Sequence, residues 1–298
     1  MLDVIVSLKL CNAITSLGLS LSIIMSNIPT VDASTIVLSM VSTISPSAKY
    51  SQSSDNILLK RLSDKPLDAK SYKPGILSTD VYYPSWFDGL YKTNSRFTKV
   101  YDPLGEEPFG GSSALIAAKD DVGSLLVYNS KFKRNNNFII SDRLYNLKSI
   151  AIASMGDKSI IDDHQNSKDL ANSINLIVSP IQSNGAFFDI NLQVTDREYE
   201  ILSNNEFIVL ERTKQTIRNV IPQTEFSNQR ISLPSLQKEI ETITLYKKID
   251  ENNIFATQRT ATYFCKLDPR YEKLVELAPN IIDTAVDVRY YEITYNKL

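Results

Sequence analysis

The chain of 298 residues carries 32 Lys and Arg against 34 Asp and Glu, a net charge of −2, with 43% apolar and 22% charged residues. That balance excludes a disordered chain, and it supplies neither a basic field for nucleic acid nor an acidic tail. Fifteen tyrosines and eleven phenylalanines against nine glycines suit strands better than an α/β fold built on Gly-rich phosphate loops.

The first segment reads as a leader, residues 1–33. Residues 10–31 are uncharged, and Leu17–Met25 is the densest apolar run. Its length suits the apolar core of an export signal, and Val31 and Ala33 put small residues at the −3 and −1 positions of a cleavage site. A retained membrane anchor is the alternative, but it needs about 20 mostly apolar residues, and Asn12, Thr15, Ser16, Ser20, Ser22, Ser26 and Asn27 dilute this run. A second apolar patch, Ile36–Val41, leaves room for a later cut. The Ser/Thr-rich, acid-poor composition also fits half of a plastid import signal. Residues 34–80 read as a flexible linker broken by Pro46, Pro66 and Pro74-Gly75.

From residue 81 to 298 the pattern is one β domain. The stretch Tyr82-Tyr83-Pro84-Ser85-Trp86-Phe87-Asp88-Gly89-Leu90-Tyr91 holds the only tryptophan. Pro84 favours an extended Tyr83, and Gly89 permits a tight turn or a close ring. Strand 1 is expected over 87–100, with Trp86 and Phe87 plugging the end of a barrel, followed by a long turn over 102–111. A strand over 124–132 ends at Asn135-Asn136-Asn137. Residues 142–151 read as a helix, with Leu144, Leu147, Ile150 and Ala151 on one face and Ser141 as a possible N-cap. In 186–195, Ala186, Phe188, Ile190, Leu192 and Val194 alternate with mostly polar neighbours, the period of a sheet with one dry face. Further strands are expected at 207–213, 241–248, 254–265 and 285–295, with a hairpin turn at 250–253 and a short helix over 267–277 capped by Asp268 and Pro269. One closed antiparallel barrel accounts for so many strands, because closure removes exposed edges.

Chemical motifs are sparse. His164, the only histidine, follows Asp162-Asp163, but it lacks the further ligands a metal site needs and a placed nucleophile. It reads as a solvated loop, and no metal site is expected. One histidine excludes bis-histidine haem within a monomer. Of the two cysteines, Cys11 falls in the leader and Cys265 reads as a small buried apolar residue, so no intrachain disulfide forms once the leader is removed. Asp142-Arg143 reads as structural, with Arg143 reaching a barrel carboxylate. Glu241, Arg259, Asp287 and Arg289 lie on strands; pointing inward they make a polar cavity floor, pointing outward they are surface. No P-loop, dinucleotide fingerprint or metalloprotease helix is present.

Tyr83-Pro84-Ser85-Trp86-Phe87-Asp88-Gly89 with Tyr91, Asp142-Arg143-Leu144-Tyr145-Asn146, Tyr246-Lys247-Lys248-Ile249-Asp250-Glu251-Asn252 and Asp287-Val288-Arg289 occur in order. Together they resemble an uncharacterised lipocalin-like family of cyanobacteria and plastids, a domain of unknown function, over roughly residues 82–295. Gly89-Leu90-Tyr91 also resembles the lipocalin Gly-x-Trp signature with Tyr in the Trp place. That likeness implies that Arg289 packs on the Tyr91 ring, a cation–π pair worth ~0.5–2 kcal/mol. Trp86, Phe87, Gly89, Tyr91 and Arg289 are therefore the expected barrel-end residues.

The resemblance implies a barrel and a photosynthetic organelle but no activity. The expectation is a non-catalytic plastid protein, thylakoid-lumenal or thylakoid-associated, that holds an apolar small molecule such as a pigment or lipid. A structural or assembly partner of a photosynthetic membrane complex is the second expectation, with membrane contact through the leader if it is uncleaved. The third is an enzyme whose Glu241 or Asp287 faces a cavity with a raised pKa.

Overall fold

The computed structural model describes residues 57–63, 80–156, 160–162, 169–178, 187–220, 236–266, 271–277, 279–282 and 284–298. The leader, His164, Cys11 and the Asp268-Pro269 cap lie outside them. The described residues form one antiparallel sheet of ten strands: β1 (Gly89–Tyr101), β2 (Leu125–Asn135), β3 (Phe138–Ser141), β4 (Ile160–Asp162), β5 (Ser173–Val178), β6 (Phe187–Ser203), β7 (Glu206–Val220), β8 (Leu236–Lys248), β9 (Asn253–Phe264) and β10 (Asp287–Lys297). Their order is β3-β2-β1-β10-β9-β8-β7-β6-β5-β4. The expected strands are all present, several of them longer than the sequence suggests; β3, β4 and β5 are additional.

The first and last strands of the domain are direct neighbours. Tyr91 pairs with Lys297 and Phe97 with Tyr291 along β1 and β10. The sheet curls strongly. Phe132 on β2 and Phe207 on β7, far apart in strand order, both contact Phe87, with ring centroids 4.8 and 6.1 Å away. Side chains on that face point into the curl.

Closure is where the structure departs from the expected barrel. Among the described residues β3 and β4 are the two ends of the sheet and do not pair with each other, so the fold is a curled half-barrel. A helix fills the gap. Of the helices α1 (Ile57–Ser63), α2 (Glu106–Phe109), α3 (Ser112–Asp120), α4 (Arg143–Met155) and α5 (Tyr271–Leu277), α4 buries Leu147, Ile150 and Ala151 between Tyr128 of β2 and Ile174, Leu176, Ile190 and Leu192 of β5 and β6. It also stands in for a missing strand. The Asn146 amide accepts from the Lys131 backbone N–H at 2.6 Å and donates to the Lys131 carbonyl at 3.1 Å, and Ser149 Oγ accepts from the Asn129 N–H at 2.9 Å. Backbone groups at the free edge of β2 are thereby satisfied.

Three local features differ from expectation for identifiable reasons. The long turn after β1 contains α2 and α3, whose Phe109, Leu115 and Ala118 bury a small apolar cluster beside Val100. Residue Asp142, not Ser141, precedes α4 and makes no capping bond; it faces Lys133 and Lys131 at 3.2 and 3.6 Å instead. Ser141 Oγ accepts from Asn146. Within the stretch read as a linker, residues 57–63 form α1, whose Leu58 and Arg61 are buried.

A β-bulge between Val194 and Asp196 shifts the register of β6 against β7. Phe188, Ile190 and Leu192 face inward before it; after it, inward positions fall on Arg197 and Tyr199, opposite Glu211 and Val209. The clean alternation of 186–195 thus ends where the bulge begins.

Gly89 starts β1 at φ 144°, a conformation that L side chains rarely adopt, and an added Cβ would lie 2.8 Å from Lys297 Cε. Lys297 can swing away; the backbone cannot. Gly89→Ala is expected to cost about 1–3 kcal/mol, read as a lower urea midpoint, and adding Lys297→Ala should not restore it. Full rescue by the lysine change would show that the clash, not the backbone, sets the cost.

Candidate functional site

The inner face has three zones. Its floor is aromatic. Phe87 is fully buried and stacks on Trp86 at 4.2 Å, while Tyr83 contacts Phe87, Phe132, Phe207 and Tyr246. Tyr295 joins Tyr246 at 6.0 Å and Tyr91 at 6.2 Å. The polar tips are used internally: Tyr91 Oη donates to the Trp86 carbonyl at 3.0 Å, and the Tyr246 phenol shares hydrogen bonds with Tyr295, Thr244 and Tyr83. Burial pushes the Tyr246 phenol up to about 12 against those bonds, and burial together with Asp88 takes Tyr91 to about 12. Both remain protonated donors at neutral pH. Of the two residues expected at a barrel end, Phe87 is buried in this cluster and Trp86 is partly buried against it.

Above the floor is a band of small polar side chains. The register turns Thr93, Ser95, Thr213, Thr242, Thr244 and Thr260 to the inner face, and all are buried. Thr93 donates to Ser130 at 2.9 Å and Thr244 to Gln258 at 3.1 Å. Ser95 Oγ and Thr213 Oγ1 find no partner among the described residues. A buried hydroxyl without a partner costs about 1–3 kcal/mol.

Beside this band lies a charge clamp. Arg143 of α4 grips Glu211 of β7, Nη2 to Oε1 at 2.7 Å and Nη1 to Oε2 at 3.1 Å, and reaches Asp80 at 2.7 Å. Arg197 Nε donates to the same Glu211 oxygen at 2.7 Å, and its Nη2 donates to the Ala171 carbonyl at 2.7 Å. Burial works against the Arg143 charge, but Glu211 and Asp80 outweigh it and hold the guanidinium well above its ordinary range. The barrel carboxylate that Arg143 was expected to reach is therefore Glu211. Arg197, Glu211 and Asp80 carried no local sign of their meeting; Arg197 turns inward only because of the bulge between Val194 and Asp196.

The expected polar floor of Glu241, Arg259 and Asp287 divides between the two faces. Thr262 opposite Asp287 is an inner position, while Ala261 opposite Glu241 is an outer one. At the far end of β10 from the floor, Asp287 takes Arg289 in a two-oxygen grip, Nε at 3.0 Å from each carboxylate oxygen. Arg289 lies over Phe97 and Phe109, 5.7 and 5.8 Å from their centroids. The implied stack of Arg289 on Tyr91 is thus replaced: Tyr91 sits across from Lys297, at the opposite end of the strand.

On the outer face Glu241, fully buried, receives three arginines. Arg61 of α1 donates through Nε at 2.8 Å and Nη2 at 2.8 Å, Arg212 through Nη2 at 2.9 Å, and Arg259 through Nη2 at 2.6 Å. Burial pushes the Glu241 carboxyl up, but Arg259, Arg61 and Arg212 outweigh it and hold it below the ordinary range. Burial also lowers Arg259, whose Nε and Nη1 have no acceptor among the described residues. This carboxylate is an ion-pair centre, not the raised-pKa acid an enzymatic role requires. No group of three His, Cys, Asp or Glu side chains suited to a metal occurs among the described residues.

Neither the curated proteins nor the solved structures contain a match to the chain. Residues 75–286 match the family described as Domain of unknown function (DUF6816). They contain the clamp, the six residues of the polar band and the aromatic floor except Tyr295, while β10 with Asp287, Arg289 and Tyr295 follows the matched segment. The chain belongs to the DUF6816 family, an uncharacterised domain family.

Proposed function

We propose that this chain is a non-catalytic, lipocalin-like binding protein of the plastid, thylakoid-lumenal or thylakoid-associated. Its curled sheet holds a small molecule with an apolar body and one hydrogen-bonding group, as a pigment or lipid has. The observation that carries this reading is that two inner-face hydroxyls, on Ser95 and Thr213, are buried without a partner among the described residues, on a face that also carries the aromatic floor, whereas buried polar groups ordinarily have a hydrogen-bond partner. Aromatic and apolar walls with few polar groups are the usual lining of small-molecule sites. The plastid assignment rests on the leader composition and the family resemblance alone.

The test uses the full chain purified under mild conditions, with organic extraction of any bound molecule. It is followed by titration with a carotenoid or a chlorophyll precursor while reading Trp86 emission. Saturable quenching is expected. Protein that carries nothing extractable and shows no saturable quenching would remove the reading. Thr213→Val supplies an independent check. In ligand-free protein it should raise stability by about 1–2 kcal/mol, because an unmet buried hydroxyl is removed, and it should weaken ligand binding. Loss of stability on that change would mean that the hydroxyl is already satisfied.

The second reading is a structural or assembly partner of a photosynthetic membrane complex. Leu125 and Val127 favour it: they stand exposed on β2, beyond the part of that strand that β3 covers. Recovery of complex subunits from solubilised thylakoids, lost on Leu125→Ser with Val127→Ser, is the expected result. Equal recovery with the double variant would remove this surface from consideration.

A further inference from the structure

We infer that the outer face of the sheet binds a small oxyanion, a carboxylate or a phosphate, at Arg259, with Tyr263 and Tyr290 beside it.

Arg259 is fully buried on β9, directly opposite Ile243 of β8 and Tyr290 of β10. One nitrogen, Nη2, donates to Glu241 Oε1 at 2.6 Å. The other two, Nε and Nη1, are buried with no acceptor among the described residues. Buried polar groups ordinarily have a partner, and buried charges ordinarily have an opposite one. Glu241 has no capacity left to supply it. A carboxylate offers about four lone-pair sites, and Glu241 already receives Nε and Nη2 of Arg61, Nε and Nη2 of Arg212, and Nη2 of Arg259. Glu292 is the next acidic side chain along this face of β10, opposite Thr257; it is exposed and makes no hydrogen bond to Arg259.

The missing partner has to bring charge as well as an acceptor. Burial lowers the Arg259 guanidinium, and its share of Glu241 does not restore it to the ordinary range. A water would accept from one donor and leave that deficit; an oxyanion does both, and the planar guanidinium matches carboxylate and phosphate oxygens. The neighbours suit an anion. Tyr263 Oη accepts from Arg61 Nη2 at 3.2 Å, which leaves its own proton to donate, and burial raises its pKa so that the proton is kept. Between Arg259 and Tyr263 on this face of β9 stands only the small side chain of Ala261. Ile243, Glu241 and Tyr263 are buried, whereas Tyr290 is half-buried, so the approach from solvent runs past the Tyr290 ring. The site lies on the opposite face of the sheet from Ser95 and Thr213, and it stands or falls independently of a ligand there.

The test is calorimetric titration of the full chain with inorganic phosphate and, separately, with acetate. Both are kept at low millimolar concentration, because concentrated phosphate stabilises folded proteins by exclusion from their surface, and chloride holds the ionic strength constant. Saturable binding of at least one anion to wild type is expected, and which of the two binds fixes the class. Arg259→Lys keeps a cation for Glu241 but loses the planar set of donors, and should weaken binding roughly tenfold or more. Tyr290→Glu puts a carboxylate directly across from Arg259 and should abolish binding by taking the anion's place; it carries the test if Arg259→Lys fails to fold. No saturable binding of either anion to wild type would overturn the proposal. So would undiminished binding by Arg259→Lys or by Tyr290→Glu, since the anion would then sit elsewhere.

Discussion

Replacing Arg143 by alanine should destabilise the fold by about 3–5 kcal/mol, seen as a lower urea midpoint with little change in slope. The side chain is almost wholly buried and joins three parts of the chain: α4 that carries it, Glu211 on β7 and Asp80 ahead of the aromatic stretch. Two arginines and two carboxylates balance in this clamp, with Arg197 as the fourth member. Without Arg143, Glu211 retains one arginine, and Asp80 lies 3.9 Å from Arg197. The loss falls where the sheet is not closed by strand pairing, so α4 should also loosen, exposing the apolar cluster it covers. Arg143→Met combined with Glu211→Leu should recover much of the stability, because exchanging a buried ion pair for apolar groups costs less than breaking it. The surviving Arg197 and Asp80 then balance each other. A single Arg143→Ala variant within about 1 kcal/mol of wild type would mean that the helix is held by its apolar face alone.

Glu241→Gln should match or exceed that loss, about 3–5 kcal/mol, because it strands the charges of Arg61, Arg212 and Arg259 in one buried patch. Arg61→Ala should cost clearly less, since it leaves Glu241 with two arginines. The acid limb gives a signed prediction. The folded-state carboxyl is held below its ordinary value of 4.5, the arginines outweighing burial. A depressed carboxyl contributes stability that is complete above the unfolded value and is lost as pH falls through the folded value. The difference between wild type and Glu241→Gln should therefore be constant above about pH 5 and shrink below about pH 4.5. Urea midpoints for both proteins across that window read it directly; a gap that does not change on acidification would sink the assignment.

Much of the fold was legible because it is written in short-range periodicity. The alternation of Phe188, Ile190 and Leu192 identified a dry strand face, and the Leu147, Ile150 and Ala151 spacing identified α4. The Asp250-Glu251-Asn252-Asn253 turn is stabilised by its own residues, since Asp250 Oδ1 accepts from the Asn252 and Asn253 N–H groups at 2.8 and 2.9 Å. The role of Arg143 was readable in kind, as a helix residue reaching a barrel carboxylate, but Glu211 as its partner was not. Nothing near Glu211 marks it as different from any strand glutamate. The division of Glu241 and Asp287 between two faces was also hidden, because a single bulge or register step reverses the side on which a side chain points.

By itself, then, the order of residues determined a β domain that begins at an aromatic knot and ends on a tyrosine-rich strand, because alternation, turn residues and ring-rich segments act over a few neighbours. Only the tertiary structure decided that a helix rather than a strand bridges the two sheet ends. It also decided that Arg289 rests on Phe97 and Phe109, that Arg61 belongs to Glu241, and that Ser95 and Thr213 are left wanting a partner. Each of those outcomes depends on distant segments meeting in one register, and the free energy that selects it is shared among contacts that no local stretch contains.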